Sequence, residues 1–240
     1  MKTVCLWSAG KDSCLACHKA ILSGHKVAAL FNFTSPDGSV SLSHGLDPRL
    51  VAEQAAACGL PLLQKPMPGI GAYEREFKEL ISEWKSAKGI EGVVFGDIYL
   101  QEHKEWIDRV CKETDVKPVF PLWGLESRQI IRDLAGSGFK AIIVCVKPGV
   151  LGKEWLGRQL DTGFVEDLHR YDPKVDPCGE SGEFHTFVYD GPLFKKPVEF
   201  LPGEKKLNST YWCLDIILAQ RPNLSDGSAC ACCAKEVALR

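Results

Sequence analysis

The 240-residue sequence predicts an α/β fold: a doubly wound parallel sheet followed by a smaller α+β domain. Three observations carry this. Short continuous apolar runs alternate with helical segments of ten or more residues up to about residue 124, which is the pattern of crossover units around a parallel sheet covered on both faces. Glycines 24, 59 and 89 stand where helical periodicity stops, the usual place for a left-handed cap. Beyond residue 124 the alternation breaks down into a long stretch rich in Gly, Pro, Asp and Phe.

Taken in order, residues 1–7 read as a buried strand and residues 12–23 as a helix with Cys14, Leu15, Ala20, Ile21 and Leu22 at helical spacing. "KVAALFNF" (26–33) is a second strand and "SPDG" (35–38) a turn. A helix over 48–58 leads into a short strand, "LPLLQK". A helix over 73–88 leads into a buried strand over 91–95, then Gly96 and Asp97. A helix over 101–113 precedes the extended segment "VKPVFPLW". After the boundary near 124, residues 126–135 read as a helix, 140–146 as a strand, and 210–218 as the last strand. The expected division is 1–124, 125–225 and a Cys-rich tail at 226–240.

Composition narrows the function. At 45% hydrophobic and 25% charged, the chain can bury a sizeable core, and a net charge of −2 supplies no global basic field for nucleic acid. No apolar run approaches the roughly 20 residues of a membrane span. The N-terminus enters a strand directly, with no secretory pattern, so a cytoplasmic location is expected. Eleven cysteines, an odd number, argue against a disulfide framework. Cys5, Cys14, Cys17, Cys58, Cys111, Cys145 and Cys213 lie in apolar segments and are expected to be buried thiols.

The chemistry concentrates first at Ser8-Ala9-Gly10-Lys11-Asp12-Ser13, between the first strand and the first helix. A helix start leaves N–H groups unpaired and carries partial positive charge, so it suits an anion. Ala9 and Gly10 let a phosphate approach the backbone, Ser8 and Ser13 offer hydroxyls, and Lys11 adds a full charge. Asp12, acceptor-only when ionised, suits Mg²⁺ or a helix cap better than phosphate. The same residues also fit an ordinary capped helix. The loop is neither the G-x-x-x-x-G-K-[ST] phosphate loop nor the G-x-G-x-x-G dinucleotide turn. Gly96 and Asp97 end a strand, where doubly wound sheets place ligands, and Asp97 is a second candidate for phosphate or Mg²⁺.

The hexapeptide resembles S-G-G-K-D-S, the pyrophosphate loop of the N-type ATP pyrophosphatases, with Ala9 in place of a glycine. Alanine is expected there at negative φ, which would make Ala9→Gly nearly neutral. Together with "VVFGDI" (93–98), "PLW" (121–123), "LGKEWLGRQLD" (151–161) and "DPCGESGEFHTFVYDGPLF" (176–194), the loop resembles the diphthine–ammonia ligase family over most of residues 1–200. The resemblance implies an adenine-nucleotide α-hydrolase-like fold and cleavage of ATP to AMP and pyrophosphate with Mg²⁺. It further implies amidation of diphthine on elongation factor 2 by ammonia. The family's G-E-x-G-E-[FY]-x-T motif falls on Gly179 to Thr186. By this resemblance Ser8 to Ser13, Gly96 and Asp97 bind ATP, and Lys11, Asp12 and Glu183 are the catalytic candidates. His44, Arg158, Glu180, Glu183 and His185 are candidates for the acceptor, and Asp12 and Asp97 for Mg²⁺. The motif is expected to form an acceptor site apart from the ATP loop. Two other readings stay open: an adenylating pyrophosphatase with another acceptor, metabolite or RNA, and a non-catalytic ATP-binding module. A homodimer is left open, and Cys230, Cys232 and Cys233 of the tail lie outside what the resemblance explains.

Overall fold

The computed structural model describes residues 1–208 and 210–219; the Cys-rich tail lies outside the described residues. Five strands, β1 (Lys2–Leu6), β2 (Lys26–Thr34), β3 (Leu62–Pro66), β4 (Gly92–Val94) and β5 (Lys117–Val119), form an all-parallel sheet in the order β3-β2-β1-β4-β5. The helices between them are α1 (Lys11–Leu22), α2 (Pro48–Cys58), α3 (Tyr73–Lys88) and α4 (Gln101–Glu113). Strand order proceeds outward from β1 in one direction to β3 and then resumes on its other side at β4. The carboxyl ends of β1 and β4 therefore flank a crevice, where open α/β sheets hold ligands.

Local chemistry sets the helix ends. Asp47 caps α2 through its carboxylate, which accepts from the Arg49 amide, and Pro48 follows at the first helical position. Gly59 and Gly89 take the left-handed conformation after α2 and α3. Helix α1 begins one residue earlier than expected. Its cap is Gly10, which makes no side-chain capping bond.

After α5 (Ser127–Gly136) come β6 (Lys140–Val146), α6 (Phe164–Tyr171), β7 (Phe184–Asp190), β8 (Phe200–Leu207) and β9 (Trp212–Leu218). The last four strands make a separate antiparallel sheet, β7-β6-β9-β8. One hydrophobic cluster runs through both sheets, from Cys5, Leu15 and Leu50 to Ile142, Phe187 and Leu214. A second, including Phe31, Phe77 and Phe95, fills the outer face of the parallel sheet against α3 and α4. Among the described residues no helix is long and apolar enough to cross a membrane.

One expectation about the cysteines is corrected. Cys5, Cys14, Cys17, Cys58, Cys111 and Cys178 are buried free thiols, but Cys145 and Cys213 form a disulfide. They are register partners in the antiparallel β6–β9 pair with Cα atoms 4.2 Å apart. Opposed antiparallel positions bring side chains into contact whatever their sequence separation.

A buried amide helps to join the sheets. Gln54 of α2 is fully buried. Its Oε1 accepts from the Trp7 indole at the end of β1, and its Nε2 donates to the carbonyls of Ala9, at 3.0 Å, and Val188 of β7, at 2.5 Å. The Val188 amide donates to the Ala9 carbonyl as well, at 3.1 Å. Gln54→Leu keeps the bulk but leaves the Trp7 indole N–H without its acceptor and weakens the hold on two buried carbonyls. The expected cost is about 2–4 kcal/mol, since a buried unsatisfied polar group costs roughly 1–3. Urea unfolding should show a lower midpoint with an unchanged slope.

Candidate active site

The crevice is a cavity of about 340 Å³. One wall is the loop between β1 and α1, contributing Ser8, Lys11, Asp12 and Ser13. The opposite wall is Gly179, Glu180, Gly182, Phe184, His185 and Thr186 of the second sheet, while Gly96, Asp97 and His44 line the rim.

Within the loop, Ser13 Oγ donates to the Gly10 carbonyl and receives the Ser8 amide, and the two serine hydroxyls lie 3.1 Å apart. The Lys11 amide donates to Thr186 Oγ1 at 3.1 Å. Among the described residues the next two amides of α1, those of Asp12 and Ser13, make no hydrogen bond to another residue. A helix N-terminus with two free N–H groups, two hydroxyls and a lysine is an anion cradle. Gly96 lets β4 approach this turn, since a Cβ there would lie 3.0 Å from the Asp12 carbonyl carbon and 3.1 Å from the Ser13 nitrogen.

Ala9 corrects the sequence expectation. It sits at φ 69°, in the left-handed region, with its methyl fully buried. The loop must turn sharply there to offer the Ala9 carbonyl to Gln54 and Val188. The strain, about 1–2 kcal/mol for an L-residue, is relieved in Ala9→Gly. That variant loses a buried methyl worth about 0.8 kcal/mol and gains unfolded-chain freedom worth about 0.4–1 kcal/mol.

Lys11 is only 3% exposed. Its ammonium contacts Asp12 Oδ2 at 2.7 Å and lies 5.6 Å from the centre of the Phe184 ring. Burial alone would lower the lysine's pKa, but the Asp12 charge outweighs it and holds the ammonium protonated. Burial raises the Asp12 carboxyl, with Lys11 opposing. Asp12 Oδ1 is buried without a hydrogen-bond partner, which is what a carboxylate oxygen awaiting a cation looks like. Asp97, raised by burial and opposed by His103, pairs with the His103 Nδ1 at 3.2 Å.

His44 arrives on the 35–46 loop, which is pinned where Asn32 donates to Ser41 Oγ and the Leu42 amide reaches the Phe33 carbonyl. Its Nδ1 donates to the Thr186 carbonyl at 2.9 Å, which leaves Nε2 as an acceptor. Its ring stacks on His185 at 4.9 Å, and His185 leans on Tyr211 at 5.1 Å. Burial, His185 and Lys11 push His44 well below its usual pKa; burial and Lys11 push His185 down to about 4. Both rings are neutral at pH 7.

The motif at 179–186 is a tight turn. Gly179 and Gly182 have positive φ, and a Cβ at Gly179 would meet the Phe184 carbonyl at 2.9 Å. Glu183 is turned inward: its carboxylate accepts from the amides of Ser181, at 2.9 Å, and Asp176, at 3.5 Å. Glu180 lines the cavity, and burial, helped by the charges of Asp12, Asp176 and Asp97 against that of Lys11, pushes its carboxyl up to about 8. Arg158 lies apart, bridging Asp161 and Asp167 at 2.7 Å each. The loop and the motif are neighbours in space. Thr186 and Val188 bond the loop directly, so the two share one cavity wall to wall.

This architecture agrees with known proteins. The family profile of the diphthamide synthase N-terminal domain matches residues 1–118, and that of the diphthamide synthase C-terminal domain matches residues 126–221. A diphthine–ammonia ligase of Rattus norvegicus is 30% identical over 233 residues, covering 87% of this chain and 86% of the rat protein. The chain belongs to the diphthine–ammonia ligase family. The Homo sapiens member is 29% identical over 222 residues, with 82% of each chain covered. The Schizosaccharomyces pombe member is 30% identical over 221 residues, which is 82% of this chain but 36% of that longer protein. The activity of this family is ATP-dependent ligation.

Two contacts singled out here are open to test. The terms at Ala9 nearly cancel, so Ala9→Gly should shift stability by less than about 1 kcal/mol in denaturant unfolding. At Gly10 they do not. A Cβ there would lie 2.0 Å from His44 Cε1. Gly10→Ala should therefore cost about 1–3 kcal/mol through overpacking, and adding His44→Ala should recover much of it. A thermal-shift double-mutant cycle measures the coupling.

Proposed function

We propose that the chain adenylates the diphthine carboxylate of elongation factor 2 and transfers it to ammonia, forming diphthamide with release of AMP and pyrophosphate. The carrying observation is the shared cavity: an anion cradle at the start of α1 faces a carboxylate-bearing turn of the second sheet. A carboxylate is a poor acyl electrophile because oxide is a poor leaving group, and adenylation replaces oxide with AMP.

The residues divide the work by chemistry. The free amides of Asp12 and Ser13, the hydroxyls of Ser8 and Ser13, and the Lys11 ammonium receive the charge that develops on the departing pyrophosphate. Lys11 is fixed by Asp12 and held beside Phe184, so its charge needs no reorganisation when pyrophosphate leaves. Asp12 and Asp97 would hold Mg²⁺, and the partnerless Asp12 Oδ1 supports that fit. When bound, the ion neutralises phosphate charge. His44 and His185 present uncharged rings to the acceptor side, which suits an acceptor carrying a trimethylammonium group because imidazolium would repel it.

Two measurements test this. Lys11→Ala should weaken ATP binding by about 1.5–3 kcal/mol in calorimetry; unchanged affinity would remove the loop from the nucleotide site. Chromatography of the wild-type reaction with ATP, Mg²⁺, ammonium and diphthine-bearing elongation factor 2 should yield AMP and pyrophosphate. ADP and phosphate as main products would mean that the β–γ bond is cut.

A further inference from the structure

Ligation needs something that the phosphate cradle does not supply. At neutral pH ammonia exists almost wholly as ammonium, which has no lone pair to attack with. A group in the cavity must hold ammonium beside the acyl carbon and accept a proton from it. Five carboxylates surround the motif turn, and four are committed. Asp12 Oδ2 contacts Lys11, with Oδ1 facing the proposed cation position. Asp97 pairs with His103. Asp176 accepts from the Tyr99 hydroxyl at 2.6 Å and from the amides of Cys178 and Glu180. Glu183 accepts from the amides of Ser181 and Asp176. Glu180 alone makes no side-chain hydrogen bond or ion pair among the described residues, and it lines the cavity.

We propose that Glu180 is the catalytic carboxylate that binds ammonium and takes its proton, and that Glu183 is a positioning residue that holds the turn from which Glu180 projects. The proposal rests on the ligase reading above. It divides between two residues of one motif the acid–base role that the sequence suggests for Glu183.

The step balances as follows. One ammonium proton moves to a Glu180 carboxylate oxygen. The freed nitrogen lone pair forms the C–N bond to the acyl carbon. The bond from that carbon to the adenylate oxygen breaks, and its electron pair stays on the phosphate of AMP. The second surplus proton leaves the new amide nitrogen for water, and Glu180 returns its own to water at the cavity mouth. Lys11, Asp12, Asp97 and Asp176 are the charged groups that face Glu180. Burial and the three carboxylates push its carboxyl up to about 8, so at pH 7 it keeps a proton until a cation arrives. Ammonium binding beside it sends that proton to water and leaves the carboxylate that the step uses.

The Glu183 geometry explains why it acts through its neighbour. Its side chain closes the turn that carries Gly179 and Gly182 at positive φ, and its own carbonyl accepts from the Lys147 amide at 2.8 Å. Moving it would release the turn and with it the aim of Glu180.

The test separates the two half-reactions in the full chain. Glu180→Gln should keep acceptor-dependent ATP–pyrophosphate exchange within about threefold of wild type, while ammonia-dependent ligation at pH 7 falls by about 10²–10⁴. Hydroxylamine, uncharged and nucleophilic at neutral pH, should restore hydroxamate formation in the variant. Its ammonia-dependent rate should climb with pH by about tenfold per unit, following the free ammonia fraction, and approach wild type at high pH. Glu180→Asp, which withdraws the carboxylate by one methylene, should fall between. Glu183→Gln should lower the unfolding temperature and impair ligation, but add no further loss of ligation in the Glu180→Gln background. The proposal is overturned if Glu180→Gln abolishes exchange, if hydroxylamine does not rescue it, or if the two substitutions multiply. If wild type shows no acceptor-dependent pyrophosphate release, the ligase reading fails and this proposal falls with it.

Discussion

The arrangement of this site depends on the buried amide of Gln54. An amide nitrogen has two hydrogens, and here each is used, one on the loop carbonyl of Ala9 and one on Val188 in the other sheet. The amide oxygen takes the Trp7 indole. In a low-dielectric interior such a network is strong when complete and costly when any member is lost. It is why the Ala9 carbonyl can be held in a turn that an alanine adopts only under strain. It is also why the anion cradle faces the motif at 179–186 at a fixed distance.

The second sheet is thus part of the wall of the proposed phosphate site. Thr186 is the clearest case: its hydroxyl takes the Lys11 amide and its carbonyl takes the His44 imidazole. The side chain from one sheet spends one of the helix's free N–H groups and leaves the next two for a ligand. The same residue fixes the tautomer of His44, so its other ring nitrogen carries a lone pair and not a proton.

Much of this was legible before any coordinates. The helices at 48–58, 73–88 and 101–113 end where their sequences say, two of them because glycine takes the left-handed cap. The loop at 8–13 announced itself by small residues and a lysine between a strand and a helix. What stayed hidden depends on long-range packing. Gln54 reads as one more polar residue on an amphipathic helix and turns out to be fully buried. Cys145 and Cys213 are 68 residues apart, and only the register of β6 with β9 makes them partners. Strand β8, "FLPGEKKL", carries Pro, Gly and charges because it is an edge strand, which removes the alternation by which strands are recognised. Helix α6 is too short, at eight residues, to show a period. Glu180 and Glu183 look alike as letters, and only hydrogen-bond accounting tells them apart.

The contact between Lys11 and Thr186 spans 175 residues of chain. On a ribosome that separation becomes time. The loop at 8–13 is synthesised before its far wall, which at about 5–20 residues per second follows roughly 10–35 s later. Until then the nascent chain has the lysine, the helix start and Gln54, but not the Val188 amide that also holds the Ala9 carbonyl. The cavity can close only after β7 has formed, so on the proposed reading the phosphate wall and the surface for the acceptor are completed in one step.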